Sequence, residues 1–312
     1  MKVLITGGCG QVGSHVAELL LARGDSVVSI DNFATGRAEN LPPQNRLTVV
    51  EGNIGDKGLV DHWVSDFKPE VIVHAAASYK DPTDWYNDTL TNCVGGANVV
   101  AAAMANKVGR FIYFQTSLCY GVKPSEQPIT LNHPLNPGNS SYAVTKTTTE
   151  HFLALSGIDY VTFRLANVIG PRNVSGPLPV FYQRLKDGKK CFVTKARRDF
   201  VFVGDLARYS VMAADGRGRG IYHFSSGTDV PIIELYDAVV RAMGINDYPA
   251  PDVRDIGADE APSILLDPSR TFADFGPIKF TPLATTVARA VKYYQEFGAH
   301  GGYTHLALEQ AK

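Results

Sequence analysis

The 312-residue sequence has no long apolar run, few cysteines and no excess of positive charge. No stretch approaches the roughly 20 apolar residues of a membrane span, and the start MKVLITGGCG lacks the charged leader of a signal peptide. We therefore expect a cytoplasmic protein with no membrane partner. Lys and Arg total 30 against 31 Asp and Glu, which disfavours nucleic acid as a partner because phosphate backbones require a basic excess. The four cysteines show no CxxC pairing, so neither a disulfide framework nor a metal site is expected.

The first half of the chain alternates short β-rich runs with helical stretches. Examples are KVLITGG followed by SHVAELLLARG, and EVIVHAAA followed by NVVAAAMANK. Parallel strands need such crossover connections, and continuous Val and Ile runs are typical of strands buried on both faces. The pattern predicts an α/β fold, a Rossmann-like doubly wound parallel sheet over residues 1–170. The Gly- and Pro-rich GPRNVSGPLP then opens a smaller C-terminal α/β substrate domain over 171–312, of which some segments are expected to return to the first domain.

Glycines at a strand-to-helix junction predict a dinucleotide site. Gly7, Gly10 and Gly13 form GxxGxxG after the strand KVLITG and before a helix from about Gln11 to Ala22. Glycine lets backbone amides approach a pyrophosphate, and the helix N-terminus offers unpaired N–H groups. Asp31 ends the next strand at the spacing where an acid meets the adenosine ribose hydroxyls. Its charge favours NAD over NADP, which stays a lesser alternative because Arg37 lies nearby.

A second motif predicts acid/base chemistry. Tyr142 and Lys146 lie four residues apart in SYAVTKTTTEHFLAL, so on a helix their side chains share one face. A free phenol with a pKa near 10 is a poor base at neutral pH, whereas a nearby ammonium favours the phenolate. We therefore expect Tyr142 to act as acid/base and Lys146 to lower the pKa of Tyr142.

Taken together, these motifs resemble the extended short-chain dehydrogenase/reductase family, and within it the NAD-dependent nucleotide-sugar epimerases and dehydratases. TGGCGQVGSH is similar to the family's TGGxGxIGSH, DNFATGR to its ribose-lining segment, and GNIGD to its GDxxD, with Asn53 in place of Asp. HAAAS resembles the HxAA strand end and NCVGG the NVxGT segment. The resemblance implies cofactor contacts from these segments: Gly7, Gly10, Gln11, Val12, Gly13, Asp31, Asn32, Phe33, Thr35, Gly36, Asn53, Ile54, Ala75, Ala76, Ala77, Ser78 and Asn92.

Later segments resemble the family's catalytic and substrate elements. FQTSLCYG is similar to the strand that carries the catalytic hydroxyl, which implies Thr116 as partner of Tyr142 and Lys146, with all three also at the cofactor. RLANVIGPR resembles RxxNVYGP and RRDFVFVGDLAR resembles RDFVYVDDVA. These two segments imply Ala166 and Val168 by the nicotinamide and Asn167 and Arg198 at the substrate, together with Ser78 and Ser117.

One substrate element departs from the family pattern. Members carry an arginine in an RPGD-like element, where this chain has RDIGADEAPS. Arg254 stands three residues before Gly257 instead of adjoining it, and we take it as a further substrate residue on the resemblance alone.

Four reactions compete on this scaffold: epimerisation, 4,6-dehydration, decarboxylation and net reduction. Family dehydratases follow the catalytic Thr with an Asp and Glu pair, whereas Ser117 and Leu118 stand here, and net reduction draws on NADPH, which Asp31 disfavours. The resemblance therefore implies an NAD-dependent epimerase that inverts C4 of a UDP-sugar, similar to enzymes of bacterial O-antigen clusters and so of polysaccharide biosynthesis.

Two further expectations concern partners. A non-catalytic NAD-binding sensor is the alternative from another class, but such proteins commonly lack the Tyr142 and Lys146 pair. The resemblance also implies a homodimer, formed through helices near Asn92–Asn106 and Ser141–Leu155.

Overall fold

The computed structural model describes residues 1–79, 81–138, 140–246, 250–257, 260–277 and 279–299. Its strands, in chain order, are β1 Lys2–Thr6, β2 Ser26–Asp31, β3 Leu47–Glu51, β4 Val71–His74, β5 Arg110–Thr116, β6 Tyr160–Leu165, β7 Asn167–Ile169, β8 Phe192–Thr194, β9 Arg197–Arg198, β10 Phe200–Phe202, β11 Gly220–Phe224, β12 Val230–Pro231 and β13 Asp252–Arg254. Its α-helices are α1 Gln11–Ala22, α2 Lys57–Phe67, α3 Trp85–Asp88, α4 Gly96–Ala105, α5 Ser141–Ser156, α6 Pro177–Lys186, α7 Val203–Ala214, α8 Ile232–Met243, α9 Ser269–Phe275 and α10 Leu283–Phe297. A π-helical segment, Thr89–Gly95, joins α3 to α4, and 3₁₀ turns span Ala38–Asn40 and Ser117–Tyr120.

Seven strands form one parallel sheet in the order β11-β6-β5-β4-β1-β2-β3. After β3 the chain crosses back to the other side of β1, so connections diverge between β1 and β4. Such a switch point leaves a crevice at the carboxyl ends of the strands, which is where open α/β sheets bind ligands. The prediction of a Rossmann-like doubly wound sheet is confirmed.

Helices cover both faces of the sheet because the strand side chains alternate in direction. Val3 and Ile5 of β1 face a core that also holds residues of α1 and α7, whereas Leu4 faces a second core with residues of α2, α4 and α5. All three side chains are fully buried. The sheet is thereby fixed between two helical layers, which holds the ends of its strands in place.

The second half of the chain builds a smaller unit with its own core. Short strand pairs β8–β13, β9–β12 and β7–β10 flank helices α6, α8 and α10, whose apolar faces pack together. Two elements from this half return to the large sheet: β11 pairs with β6, and α7 packs on α1. The boundary near Gly170 stays a prediction, and the end of the tail GAHGGYTHLALEQAK from residue 300 lies outside the described residues. No described helix is both long and apolar enough to span a bilayer.

Candidate active site

A cavity of about 1320 Å³ lies at the carboxyl ends of the sheet strands and extends to the smaller unit. The glycine turn after β1 and the end of β2 line one end of it. The end of β5 and the first turns of α5 line the middle, and α6, β8 and β9 line the other end. One continuous space therefore connects the predicted cofactor residues to the predicted substrate residues.

The glycine turn has no room for side chains. A Cβ at Gly7 would lie 2.6 Å from the Cα of Ala76, and one at Gly13 would lie 2.3 Å from the carbonyl oxygen of Gly7. Gly7 also has a φ of +67°, which side-chain-bearing residues rarely adopt. These close approaches set β1, α1 and the end of β4 directly against one another.

The N-terminus of α1 faces the cavity as an anion site. No side chain caps this helix, which begins after Gly10, so its first N–H groups stay available. Gln11 lines the cavity here, and its buried Nε2 has no hydrogen-bond partner among the described residues. Unpaired donors at a helix N-terminus fit the pyrophosphate of a dinucleotide.

Asp31 is held at the end of β2 by the backbone. Its carboxylate accepts hydrogen bonds from the N–H groups of Cys9 and Phe33, both at 2.8 Å, and burial raises its pKa. The side chain is nevertheless at the cavity wall. Arg37 does not line the cavity; its side chain bonds the carbonyl oxygen of Phe297 and pairs with Glu39. Arg37 is thus engaged away from Asp31, which fits NAD better than NADP.

Most of the predicted cofactor residues line the cavity: Gly7, Gly10, Gln11, Val12, Gly13, Asp31, Asn32, Thr35, Asn53, Ile54, Ala75, Ala76, Ala77, Ser78, Thr116, Tyr142, Lys146, Ala166 and Val168. Three others lie behind the wall. Phe33 packs on the apolar core, and Gly36 lets the loop close on Asp31, because a Cβ there would lie 2.7 Å from the carboxylate. Asn92 is buried, bonds the backbone N–H and carbonyl of Ser78, and donates to the Thr145 hydroxyl. These three positions support the wall of the cavity, and their contacts with the cofactor stay predictions.

The three predicted catalytic side chains line the middle of the cavity. Thr116 ends β5, and its hydroxyl accepts a hydrogen bond from the N–H of Leu118 at 3.2 Å. Helix α5 begins after Ser140, whose hydroxyl accepts from the N–H of Ala143, and this cap orients the first turn that carries Tyr142. Lys146 follows one turn later, so Thr116, Tyr142 and Lys146 all line the same cavity.

The electrostatics of this pair differ from the sequence-based expectation. Burial raises the pKa of Tyr142 above its usual value of 10.0, and the neighbouring Tyr79 and Asp88 raise it further. Burial lowers the pKa of the Lys146 ammonium to about 7, against an opposing effect of Glu150. The Lys146 Nζ lies 4.2 Å from the centroid of the Tyr113 ring. In this structure the pKa of Tyr142 is therefore raised by burial, Tyr79 and Asp88, and the expectation that Lys146 lowers it stays a prediction.

The substrate end combines an arginine and a carboxylate. Arg198 donates to the carbonyl oxygens of Arg197 and Ala261 and lies 3.3 Å from the carboxylate of Glu260. The Thr194 hydroxyl donates to the same oxygen of Glu260, whose other oxygen is buried without a partner among the described residues. Asn167 and Ser117 also line the cavity, as does Ser78.

Arg254 lies outside this arrangement. Its guanidinium carbon is 4.1 Å from the centroid of the Phe192 ring, its Nε donates to Asp252, and it does not line the cavity. Two charged lining residues at this end, Glu260 and Arg184, escaped the sequence reasoning. The helical spacing of Arg184 after Pro177 and Val180 is a signal that could have found it, whereas no local pattern marks Glu260.

The fold and this site define an NAD-binding enzyme of the extended short-chain dehydrogenase/reductase type. A family model described as the NAD dependent epimerase/dehydratase family matches residues 3–223, and the chain belongs to that family. A UDP-glucose 4-epimerase of Mycolicibacterium smegmatis is 31% identical over 320 aligned positions, and the match covers 95% of this chain and 99% of that protein.

Two solved structures are similar over nearly the whole chain. The Bordetella bronchiseptica enzyme WbmH in complex with NAD⁺ is 68% identical with a TM-score of 0.94, covering 95% of this chain and 99% of that one. The enzyme WbmG of the same organism, in complex with NAD and UDP, is 41% identical with a TM-score of 0.89, covering 98% of each chain. The predictions of family, of NAD as cofactor and of a nucleotide-sugar epimerase are confirmed.

Proposed function

We propose that the chain inverts C4 of a UDP-sugar through a transient 4-keto intermediate. The observation that carries the proposal is the convergence of Thr116, Tyr142 and Lys146 on one cavity with the glycine turn and Arg198. A UDP-sugar held with its C4 hydroxyl at Tyr142 would place its sugar beside the cofactor end of this space and its nucleotide at the substrate end. NAD, when bound, accepts a hydride from the sugar and returns it.

The side chains of the site divide the remaining work. Tyr142 takes the proton of the C4 hydroxyl and later gives it back, while the Thr116 hydroxyl hydrogen-bonds the same oxygen. Lys146 supplies positive charge beside Tyr142 while it is protonated. The positive nicotinamide ring of the oxidised cofactor would further favour the phenolate, since an opposite charge nearby lowers the pKa of an acid.

The residues after Thr116 favour epimerisation over dehydration. Ser117 and Leu118 follow it in the 3₁₀ turn Ser117–Tyr120, and both line the cavity. Leu118 cannot donate or accept a proton, so elimination of water across C5 and C6 would have no acid/base pair at these positions. Relatives of this chain do include a dTDP-glucose 4,6-dehydratase of Actinoplanes sp..

Isotope tracing tests the proposal. We would incubate the purified protein with UDP-hexoses deuterated at C4 and follow the products by NMR. A C4 epimerase keeps the label at C4 of the inverted sugar, because the hydride returns from the same cofactor molecule. A stable 4-keto-6-deoxy product, or release of NADH in proportion to substrate consumed, would refute the assignment.

We also infer a homodimer and a role in polysaccharide biosynthesis. The homodimer is inferred from an exposed apolar surface, and the biosynthetic role from the resemblance alone. Val94, Met104, Val144 and Leu155 are exposed apolar side chains on the Thr89–Gly95 segment, α4 and α5, where the dimer was expected. Sedimentation of the wild-type protein and a Val144→Glu variant tests the first inference, and unchanged dimerisation of the variant would contradict it.

A further inference from the structure

The substrate end of the cavity has too little positive charge if Arg198 is its only cation. Six charged side chains line the whole cavity in the described chain: Asp31, Asp84, Lys146, Arg184, Arg198 and Glu260. Arg198 and Glu260 form an ion pair at 3.3 Å and are both largely buried, so their charges offset one another. A nucleoside diphosphate is anionic and needs a cation beyond this pair. Apart from Lys146 on α5, Arg184 is the remaining cationic side chain that lines the cavity.

Helix α6 presents Arg184 to the cavity by its periodicity. Pro177, Val180, Phe181 and Arg184 all line the cavity, at the i, i+3, i+4 and i+7 spacing of one helix face. The first three give an apolar wall, and Arg184 places a charge at the end of it. The face therefore changes from apolar to cationic within two turns.

The guanidinium of Arg184 is positioned but not neutralised. Its Nε and Nη2 both donate to the carbonyl oxygen of Lys190, at 2.9 and 2.6 Å, which fixes its plane. No carboxylate forms an ion pair with it among the residues that the structure describes, and its side chain lines the cavity. A fixed, planar and unneutralised guanidinium matches phosphate oxygens in geometry and charge.

The C-terminal loop does not supply this charge. Arg254 lies on the Phe192 ring and pairs with Asp252, while Gly257 of the same loop lines the cavity. The loop thus contributes a glycine to the cavity lining, whereas α6 contributes the cation Arg184.

We propose that Arg184 binds the diphosphate of the nucleotide sugar and is a specificity-determining residue for phosphorylated ligands. This inference rests on the proposed function, since it assigns a part of the same substrate site. Arg184 and Arg198 would then hold the diphosphate, and Glu260 would keep Arg198 in place through their ion pair.

A series of ligands with increasing charge tests the proposal. Uridine, UMP and UDP are titrated by calorimetry into the NAD-loaded wild type and the Arg184→Gln variant. We expect the variant to bind UDP roughly 10- to 100-fold more weakly, UMP less affected, and uridine unchanged. The loss should shrink at high salt, because salt screens charges near the surface.

Two matched controls define the outcomes. Lys186→Gln removes an exposed charge from the same helix, and Arg254→Gln removes the arginine that the resemblance suggested; both should bind UDP as the wild type does. Equal loss for uridine and UDP in Arg184→Gln would overturn the proposal, because it would place Arg184 at the base. Unchanged UDP binding in that variant would overturn it too, whereas a wild type that binds no nucleoside diphosphate would refute the proposed function itself.

Discussion

Replacing Gly13 by alanine tests the cofactor cradle. The new Cβ would lie 2.3 Å from the carbonyl oxygen of Gly7, 2.8 Å from the Cα of Gly8 and 2.9 Å from the carbonyl carbon of Gly7. All three are backbone atoms, so no side chain can rotate away. The Gly7 carbonyl also accepts a hydrogen bond from the N–H of Gly10, which ties any shift to the whole turn.

Two effects of the Gly13→Ala change oppose each other. Alanine favours a helix interior over glycine by about 1 kcal/mol, whereas overpacking costs about 1–3 kcal/mol. Because the clash is with backbone at three points, we expect the upper end of the second range and a net loss of about 1–2 kcal/mol in the free energy of unfolding. The displaced turn should also weaken NAD binding, since its amides would leave the pyrophosphate site.

The assay compares Gly13→Ala with Gly138→Ala by NAD titration and by thermal melting. Gly138 also lines the cavity, but a Cβ there meets no atom within 4 Å, so this control should behave as the wild type does. Unfolding entropy of about 2.1 cal/mol/K per residue gives roughly 1.5 °C per kcal/mol for this chain, so Gly13→Ala should melt about 2–3 °C lower. Wild-type NAD affinity together with an unchanged melting temperature would refute the steric reasoning.

Three further predictions concern helix α5, which carries Tyr142, Lys146 and Glu150. Tyr142→Phe should lower kcat roughly 10²- to 10⁴-fold with NAD binding intact, and a near-normal kcat would contradict the mechanism. Burial lowers the pKa of Lys146 from 10.5 to about 7, so the folded chain is destabilised by the buried charge fully below about pH 7, and this destabilisation disappears as the pH rises from about 7 to 10.5. Cofactor-free Lys146→Met should therefore gain stability over wild type near pH 6 in urea unfolding, with the gain shrinking toward about pH 10; a constant difference would count against the shift. Glu150→Gln leaves the buried Arg164 without its negatively charged partner and should lower the free energy of unfolding by about 3–5 kcal/mol in denaturant unfolding. Removing the exposed partner of Lys57 with Asp61→Asn should cost under about 1 kcal/mol, and equal costs would refute the argument from burial.

The cofactor half could be predicted from the sequence because its signals are local. The helix expected from about Gln11 to Ala22 is α1, and the strand SVVSID is β2. Period-2 and period-3.6 patterns, with glycines at their junction, fix both the elements and the order in which they meet. Tyr142 and Lys146 likewise share a face because a spacing of four residues is slightly more than one helical turn.

The substrate half resisted prediction because its residues come from distant segments. The resemblance implied Asn167 and Arg198, which do line the cavity, whereas Arg184 and Glu260 lie on other segments that only the folded second unit brings there, and both were missed. The raised pKa of Tyr142 was missed for a related reason, since it depends on burial and on the charges of Tyr79 and Asp88, which no spacing reveals.

The return of β11 and α7 to the large sheet means that the chain cannot be divided into two autonomous pieces. Arg110 of β5 is buried and donates to the carbonyl oxygens of Ala213, Arg217 and Gly218, all of which follow the substrate segments. A fragment cut near residue 170 would leave β6 as an open edge, able to pair with another molecule, and would uncover the face of α1. Synthesis of the chain must therefore pass through α6 and β7 to β10 before β11 can complete the nucleotide-binding sheet.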